Sequence, residues 1–193
     1  QLTDWIYLSH SGQMKGQFGY GITLFAEDEF YKNILFEDNY GLEISFEKSF
    51  SKSISFNIKP KFGTEIIRVD APYQARNTGL GLGIELKPSD EFKLNFRMDQ
   101  SKSIRFENDE VVYSDMIARA RFEYQATTFL NFRLVAQYHR YYDTFDIQPL
   151  ISYQPGPFSI FYFGTSRSYD TSFPGWKESY GQIYLKVQKL FSF

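Results

Sequence analysis

The sequence MIARARFEYQATTFLNFRLVAQY, residues 116–138, contains two runs of apolar–polar alternation joined by a short turn. The apolar positions are Met116, Ala118, Ala120, Phe122 and Tyr124 in the first run, and Leu130, Phe132, Leu134, Ala136 and Tyr138 in the second. A period of two is the side-chain period of a β-strand. The stretch therefore predicts a β-hairpin with one apolar face and one charged face.

The same alternation recurs from Phe18 to the end of the chain, and helical periodicity does not compete over any comparable length. Further examples are Phe18–Leu24, Tyr40–Phe46, Ile54–Ile58, Leu80–Leu86 and Phe92–Met98. We count ten predicted strands from Phe18 onward. Residues 1–15 are predicted to form an N-terminal extension or an eleventh strand, with Gln1–His10 descending into a turn at Ser11–Gln13.

The connections between the predicted strands alternate in length. Short turns are predicted at Lys48–Lys52, Lys87–Glu91, Ala126–Thr128 and Gln154–Pro157. Longer polar loops are predicted at Ala26–Asp38, Val69–Ala75, Gln100–Glu110, Tyr141–Asp146 and Ser166–Glu178. Outer-membrane barrels have short periplasmic turns and longer outer loops, so this alternation favours a barrel.

The final segment, Tyr180–Phe193, alternates in the same way and ends on an aromatic residue. A terminal strand of this kind resembles the signal by which outer-membrane β-barrels are recognised for insertion. We therefore predict that Phe191 and Phe193 form a membrane-insertion signal. The alternative interpretation is the last strand of a soluble β-sandwich.

Aromatic residues cluster at the predicted strand ends and make up 20% of the chain, with 21 Phe and 15 Tyr. Phe50, Phe92, Phe129 and Phe158 lie at the short turns, and Tyr31, Tyr113, Tyr141, Tyr142 and Trp176 are among those near the longer loops. Two aromatic girdles at the two membrane–water boundaries would produce this distribution. Aromatic residues that flank turns in any β-protein are the alternative.

Composition narrows the class of protein. The chain has 193 residues, enough for one domain, and no Cys, which removes disulfides and thiol nucleophiles. A net charge of −2 gives no electrostatic basis for binding nucleic acid. The sequence lacks an apolar run long enough for a transmembrane helix, whereas barrel strands need only alternate residues to be apolar.

These patterns predict an all-β fold, an antiparallel transmembrane β-barrel with about ten strands in one domain (1–193) or the C-terminal part of a larger barrel. The chain does not start with a signal peptide, although a barrel must be exported. The sequence leaves open whether a signal was cleaved before Gln1 or a longer chain contains this segment.

A family resemblance rests on three motifs in the last third of the chain. They are an Arg-x-Arg-x-x-Tyr strand at 119–124, a Leu-x-x-Tyr-x-x-x-Pro-Phe-x-x-Phe-Tyr hairpin from Leu150, and a final Gln-x-x-x-Lys-x-Gln strand at 182–188. Residues Met116–Phe193 resemble the C-terminal outer-membrane barrel of a Gram-negative envelope family of unknown function. Its longer members carry an N-terminal domain similar to carbohydrate-binding module family 9, which residues 1–193 do not include, so a role in sugar binding is not carried over to these residues. The resemblance also implies a piece of a larger barrel.

The charged positions of the alternation are the candidate functional residues. A charged side chain on the lipid face costs about 2–4 kcal/mol near the membrane midplane, so these side chains are expected to point into the barrel. The predicted lumen-lining residues are Glu43, Glu47, Lys59, Lys93, Arg97, Asp99, Arg119, Arg121, Glu123 and Arg133. They would line a lumen that conducts or binds anionic or hydroxylated solutes, or else plug the interior as mutually satisfied ion pairs.

Catalytic chemistry has weaker support. His139 is near Asp143 and Asp146 in the sequence, and Ser166 and Ser168 lie in another outer loop, but no spacing is diagnostic of a nucleophile–base pair. A barrel hydrolase is thus a third alternative. No metal site and no cofactor is predicted, because His10 is isolated and the Gly79–Gly83 stretch lacks the strand–turn–helix setting of a phosphate loop.

The expected location is the outer membrane of a Gram-negative cell, with membrane lipid, lipopolysaccharide and the outer-membrane assembly machinery as partners. The expected function is a channel or transport-related pore, or a membrane anchor, with a polar charged lumen. The alternative is a structural or assembly component that docks a protein partner in the outer membrane. Nucleic acid is not an expected partner.

Overall fold

The computed structural model describes residues 2–189, which form eleven β-strands and contain no helix. The strands are β1 (Leu2–Met14), β2 (Phe18–Tyr31), β3 (Ile34–Ser51), β4 (Ile54–Ile67), β5 (Tyr73–Leu86), β6 (Phe92–Arg105), β7 (Val111–Gln125), β8 (Leu130–His139), β9 (Thr144–Gly156), β10 (Ser159–Asp170) and β11 (Lys177–Lys189). They make one sheet whose spatial order follows the chain. The predicted all-β antiparallel fold is therefore confirmed.

The sheet has two ends within the described range. β1 neighbours only β2, and β11 neighbours only β10, so the sheet is not closed among residues 2–189. Closure into a transmembrane barrel remains a prediction. No helix in this part of the chain has the length and apolarity needed to cross a membrane.

The chain divides into two compact units. Unit 1 comprises Gln1–Ser51, Ser55–Gly83 and Met98–Met116, and unit 2 comprises Lys52–Ile54, Ile84–Arg97 and Ile117–Phe193. β5, β6 and β7 each contribute residues to both units.

The ten strands predicted from Phe18 onward are all present, and the N-terminal segment forms an eleventh, β1. The turn predicted at Ser11–Gln13 is wrong, because these residues pair with β2, Gly12 lying opposite Tyr20. The Tyr20 ring lies over Gly12, where a Cβ atom would come within 2.9 Å of it. A residue without a side chain at this position accommodates the ring, so the glycine indicated a close contact rather than a turn.

The long loop predicted at Ala26–Asp38 is also wrong. β2 and β3 continue to a two-residue turn at Lys32 and Asn33, whose φ angles of 48° and 63° are typical of a type I′ hairpin. A bulge near Glu27–Glu29 accompanies a positive φ at Asp38, whose amide donates to Asp28 Oδ1 at 2.9 Å. The backbone ladder continues here although the side chains no longer alternate, which the sequence pattern could not reveal.

The other predicted long loops shorten for the same reason. The connections observed are 68–72, 106–110, 140–143 and 171–176, compared with 15–17, 52–53, 87–91, 126–129 and 157–158 on the other side of the hairpins. The predicted alternation between short and long connections is therefore wrong. The polar segments extend the hairpins as paired strands instead of leaving them as loops.

The described residues have an unusual pattern of burial. Five hydrophobic residues are buried, namely Phe36, Ile66, Ala75, Val135 and Leu150, and so are four polar ones, namely Asn39, Asn77, Ser103 and Asp115. A much larger set of Ile, Leu, Val and aromatic side chains is exposed. Most large apolar side chains of the described residues are therefore exposed or only partly buried within the chain.

Gly63 allows β3 and β4 to approach closely, and this predicts a stability change. A Cβ atom at Gly63 would overlap the Tyr40 carbonyl oxygen and lie 2.8 Å from the Gly41 Cα, and backbone atoms cannot rotate away. We expect Gly63→Ala to lower the free energy of unfolding by about 1–3 kcal/mol, the usual effect of overpacking. Urea unfolding followed by far-UV circular dichroism measures it.

Gly156→Ala is the matched control, since a Cβ atom at Gly156 would meet nothing within 4 Å. This variant should differ from the wild type by less than about 0.5 kcal/mol. Equal losses for the two variants would show that the contact at Gly63 does not limit the approach of β3 to β4.

Candidate functional site

The register of β2 and β3 sorts the side chains of unit 1 onto two faces. Gly19 lies opposite Glu47, and Thr23 lies opposite Glu43. The alternate positions pair Ile22 with Ile44 and Leu24 with Leu42. Because alternate residues of a strand point to opposite faces, one face of this pair carries the carboxylates and the other carries aliphatic side chains. We call the carboxylate-bearing face the polar face of unit 1.

Glycines on this face make room for the polar side chains of neighbouring strands. A Cβ atom at Gly19 would overlap the Glu47 carboxylate, one at Gly21 would lie 2.6 Å from Ser45 Oγ, and one at Gly83 would overlap the Asn57 amide. The polar side chains therefore lie across the glycines along the sheet.

Ion pairs join the strands on the polar face of unit 1. Lys61 Nζ lies 3.0 Å from Glu43 Oε1, and both side chains are about half exposed. Lys59 and Asp99 both border Gly81, at 3.4 Å and 3.3 Å from the position of its Cβ. The structure thus brings the predicted residues Glu43, Glu47, Lys59 and Asp99 to one face. Sequence analysis missed Lys61, although Lys61 is two residues after Lys59 on β4 and therefore points to the same face.

A shallow recess on unit 1 is bordered by the predicted residue Glu47. One part has a volume of about 310 Å³ and is lined by Gln13, Glu47 and Asn57 among others. An overlapping part of about 340 Å³ is lined by Ser11, Ser45 and Lys59 as well as Glu47. Hydroxyl, amide and charged groups surround the recess, so it suits water or a hydroxylated solute.

A buried polar network continues the polar face of unit 1. Asn77 Nδ2 donates to Ser101 Oγ at 3.2 Å and to Ser103 Oγ at 3.1 Å. Ser103 is fully buried, and its hydroxyl donates to the Glu65 carboxylate. Sequence analysis missed these residues because they lie in segments predicted as loop or left unassigned. The alternation along each strand could have identified them. Asn77, for example, continues the series of Gly79 and Gly81 on the polar face.

Asn77 predicts a measurable contribution to stability. Asn77→Ala removes the amide that donates to two serine hydroxyls in a buried setting, so we expect a loss of about 1–3 kcal/mol in the free energy of unfolding. Thr78→Ala is the control, since Thr78 is the exposed neighbour on the other face and makes one long bond of 3.4 Å to Lys102 O. Urea unfolding that placed both variants at the same midpoint would contradict a stabilising role for the network.

Unit 2 carries all four of the predicted lumen-lining arginines. The register of β7 and β8 sets Arg119 opposite Gln137, Arg121 opposite Val135 and Glu123 opposite Arg133. The alternate pairs are Ala120 with Ala136 and Phe122 with Leu134. The arginines and Glu123 therefore share one face, which we call the polar face of unit 2, as the alternation predicted.

A second charged group of unit 2 surrounds Glu85. Its carboxylate lies 3.1 Å from Lys93 Nζ and 2.9 Å from Lys87 Nζ. Arg97 follows Lys93 by four positions on β6 and has the same parity. In the adjacent turn, hydrogen bonds from the Ser89 side chain and from its own backbone amide hold the pKa of Glu91 below its usual value. Exposed pairs of this kind contribute about 0–1 kcal/mol each, so they shape the electrostatic potential more than the stability.

The residues considered for catalysis are distributed along β8 to β10. His139 lies opposite Thr144, and its ring makes an edge contact with Tyr142 at a centroid distance of 4.6 Å. Asp146 lies opposite Gln137 on one side and Ser168 on the other. The register thus puts the serine beside the aspartate, and the histidine packs against an aromatic ring.

Three predictions remain, and they concern Phe191 and Phe193, the Gly79–Gly83 stretch, and metal binding. Phe191 and Phe193 lie outside the residues that the structure describes. The Gly79–Gly83 stretch is an internal part of β5. Among residues 2–189, no group of three or more His, Cys, Asp or Glu side chains is arranged to hold a metal ion.

Comparison of the chain with protein-family models, with curated proteins and with solved structures gives no match. The resemblance noted in the sequence therefore remains an expectation.

Proposed function

We propose that this chain is the wall of an outer-membrane β-barrel whose charged face lines a polar lumen used in transport. The observation that carries the proposal is the exposure of one whole apolar face of a β-sheet. A soluble monomer rarely exposes an apolar patch larger than a few hundred Å². Hydrocarbon tails of lipids would cover such a face without any further protein.

The exposed apolar face is present in both units. In unit 1 the Leu24 side chain on β2 is 47% exposed, and its cross-strand neighbour is Leu42. In unit 2 Phe163 on β10 is 52% exposed and lies opposite Ile151 and Leu185, which are also exposed. Each apolar residue is therefore next to others of its kind across the strands, and the face is continuous within each unit.

The strand lengths suit a bilayer. The shortest strand, β8, has 10 residues and the longest, β3, has 18. A tilted strand needs about 9–11 residues to cross the hydrocarbon core. Every strand is long enough to span, and the longer ones would extend beyond the membrane surface into the polar hairpin ends described above.

Aromatic side chains are exposed near the strand ends, as girdles would require. Phe129 and Phe158 lie beside the connections 126–129 and 157–158 and are exposed. Tyr142 and Trp176 are exposed at the connections on the other side of the hairpins. Aromatic rings favour the membrane–water boundary because one part of the ring system is apolar and another can bind water.

The lipid-facing assignment predicts different effects for arginine on the two faces. Leu134→Arg puts a charge on the apolar face of β8, and we expect a loss of about 2–4 kcal/mol in folding stability in lipid if the residue is near the midplane. Gln148→Arg is the control, because Gln148 is an exposed residue opposite Val135 on the polar face. Folding into liposomes, measured by urea titration, should be impaired for Leu134→Arg alone. Equal tolerance of both variants would exclude contact between Leu134 and lipid.

Conductance tests the transport part of the proposal. Protein purified in detergent and inserted into planar bilayers should produce stepwise conductance, because the polar faces carry water-accessible charges. Flotation with liposomes establishes insertion independently. Protein that floats with lipid yet stays electrically silent would contradict the pore and favour a plugged barrel.

One observation favours a second candidate, a structural or assembly component of an outer-membrane complex. The described sheet ends at β1 and β11, and all the side chains described in these two strands are exposed except Gly12 and Tyr184, which are partly buried. Unpaired backbone groups at a sheet edge are not tolerated in hydrocarbon, so each edge needs a neighbouring strand. Copurification of a stoichiometric partner from native membranes, together with silent bilayers, would support this candidate over the pore.

A further inference from the structure

Three guanidinium groups follow one another along the polar face of unit 2. Arg119 and Arg121 are two residues apart on β7, and Arg133 projects from β8 opposite Glu123. At about 3.4 Å per residue, the row from Arg119 to Arg133 covers roughly 13 Å of the sheet. Neighbouring side chains at such positions are close enough for long residues to act on one ligand.

The single acidic side chain of the row, Glu123, is already engaged. Arg121 Nε donates to Glu123 Oε1 at 3.0 Å, and an Arg121 Nη atom forms an ion pair with the same oxygen. Glu123 is also the cross-strand neighbour of Arg133, so one carboxylate stands against two guanidinium groups. Arg119, at the other end of the row, lies opposite the neutral amide of Gln137.

Arg133 has an uncompensated donor. Its Nε is shielded from solvent and has no hydrogen-bond partner among the described residues. Its neighbour along β8, Val135, and its cross-strand neighbour, Leu150, are both buried hydrophobic residues. Beyond Leu150, the Tyr184 ring lies over Gly164, at 2.6 Å from the position of a Cβ there. An unpaired donor next to apolar groups favours the binding of an anion that can accept a hydrogen bond from it.

The net charge of unit 2 is positive, in agreement with the small number of carboxylates along the arginine row. Unit 2 contains twelve Lys and Arg residues and eight Asp and Glu, a net formal charge of +4. Unit 1 contains nine Lys and Arg and fifteen Asp and Glu, so the whole chain reaches −2. Unit 2 is therefore positively charged within an acidic chain, and its surplus includes the arginine row.

We propose that Arg119, Arg121 and Arg133 form a binding site for a small solute that carries two or more oxyanion groups. Arginine binds carboxylate and phosphate groups through paired N–H donors, and these bonds are stronger than neutral ones. Each guanidinium group can pair with one oxyanion group of the solute, and the ion pair with Glu123 holds Arg121 between Arg119 and Arg133. The role in transport rests on the proposed lumen, whereas binding itself does not.

Equilibrium binding to the full chain in detergent tests the site without any conductance. The probes are citrate, pyrophosphate and acetate at matched ionic strength, measured by isothermal titration calorimetry. Citrate, pyrophosphate or both should bind at least about tenfold more tightly than acetate, because a polyanion can contact two guanidinium groups at once. The citrate and pyrophosphate arms distinguish carboxylate from phosphate ligands. Equal affinities for all three would overturn the proposal.

Variants assign the binding to the row. Arg119→Gln should weaken polyanion binding by about tenfold or more, and it should fold normally because Arg119 is an exposed residue. Arg119→Gln combined with Arg133→Gln should abolish binding. Arg167→Gln is the matched control. Arg167 is paired with Glu178 at 3.2 Å and lies on the other face of the sheet, near the end of β10. Affinity unchanged in Arg119→Gln, or reduced equally in Arg167→Gln, would overturn the site.

The two proposals fail separately. If the protein produced no conductance in bilayers but still bound citrate or pyrophosphate, the pore proposal would be contradicted and the binding site would be supported. Stepwise conductance without polyanion binding would keep the pore and remove the site.

Discussion

The antiparallel backbone ladder is the constraint on which the rest of this structure depends. Each strand pairs with its neighbour in the chain, so every connection is a hairpin and the order of the sheet follows the order of the sequence. Because side chains alternate between the two faces of a strand, the register of the strands determines the face on which each side chain lies. A slip of one residue in β8 would move Arg133 to the face of Leu134 and Phe132.

The two faces then divide the chemistry of the protein. Aliphatic and aromatic side chains occupy one face and remain exposed, whereas carboxylates, guanidinium groups and amides occupy the other. Glycines such as Gly19 and Gly83 let polar side chains lie across the strands, and buried polar groups such as Asn77 find hydrogen-bond partners there. The proposal of a lipid environment rests on this exposed apolar face, because few hydrophobic side chains among the described residues are buried within the chain.

Electrostatics differ between the two units although the alternation is the same. The polar face of unit 1 combines carboxylates with lysines, as in the pair of Lys61 with Glu43. On β7 and β8, the polar face of unit 2 has one glutamate, Glu123, among three arginines. On a face with matched ion pairs the charges largely neutralise one another, whereas a face with surplus guanidinium groups attracts anions. The two units are therefore suited to different roles.

Period-two alternation by itself determined the all-β class, the ten strands from Phe18 and the sorting of residues such as Glu43 and Arg133 to a charged face, because strand geometry converts parity directly into direction. It did not determine where the hairpins end. The turn at Lys32 and Asn33 and the pairing of Ser11–Gln13 depend on backbone hydrogen bonds, which form whether or not the side chains alternate. The unpaired Nε of Arg133 and the Asn77–Ser103–Glu65 network were likewise decided only by tertiary structure. Parity gives the face of a side chain, but cross-strand distance selects its partner.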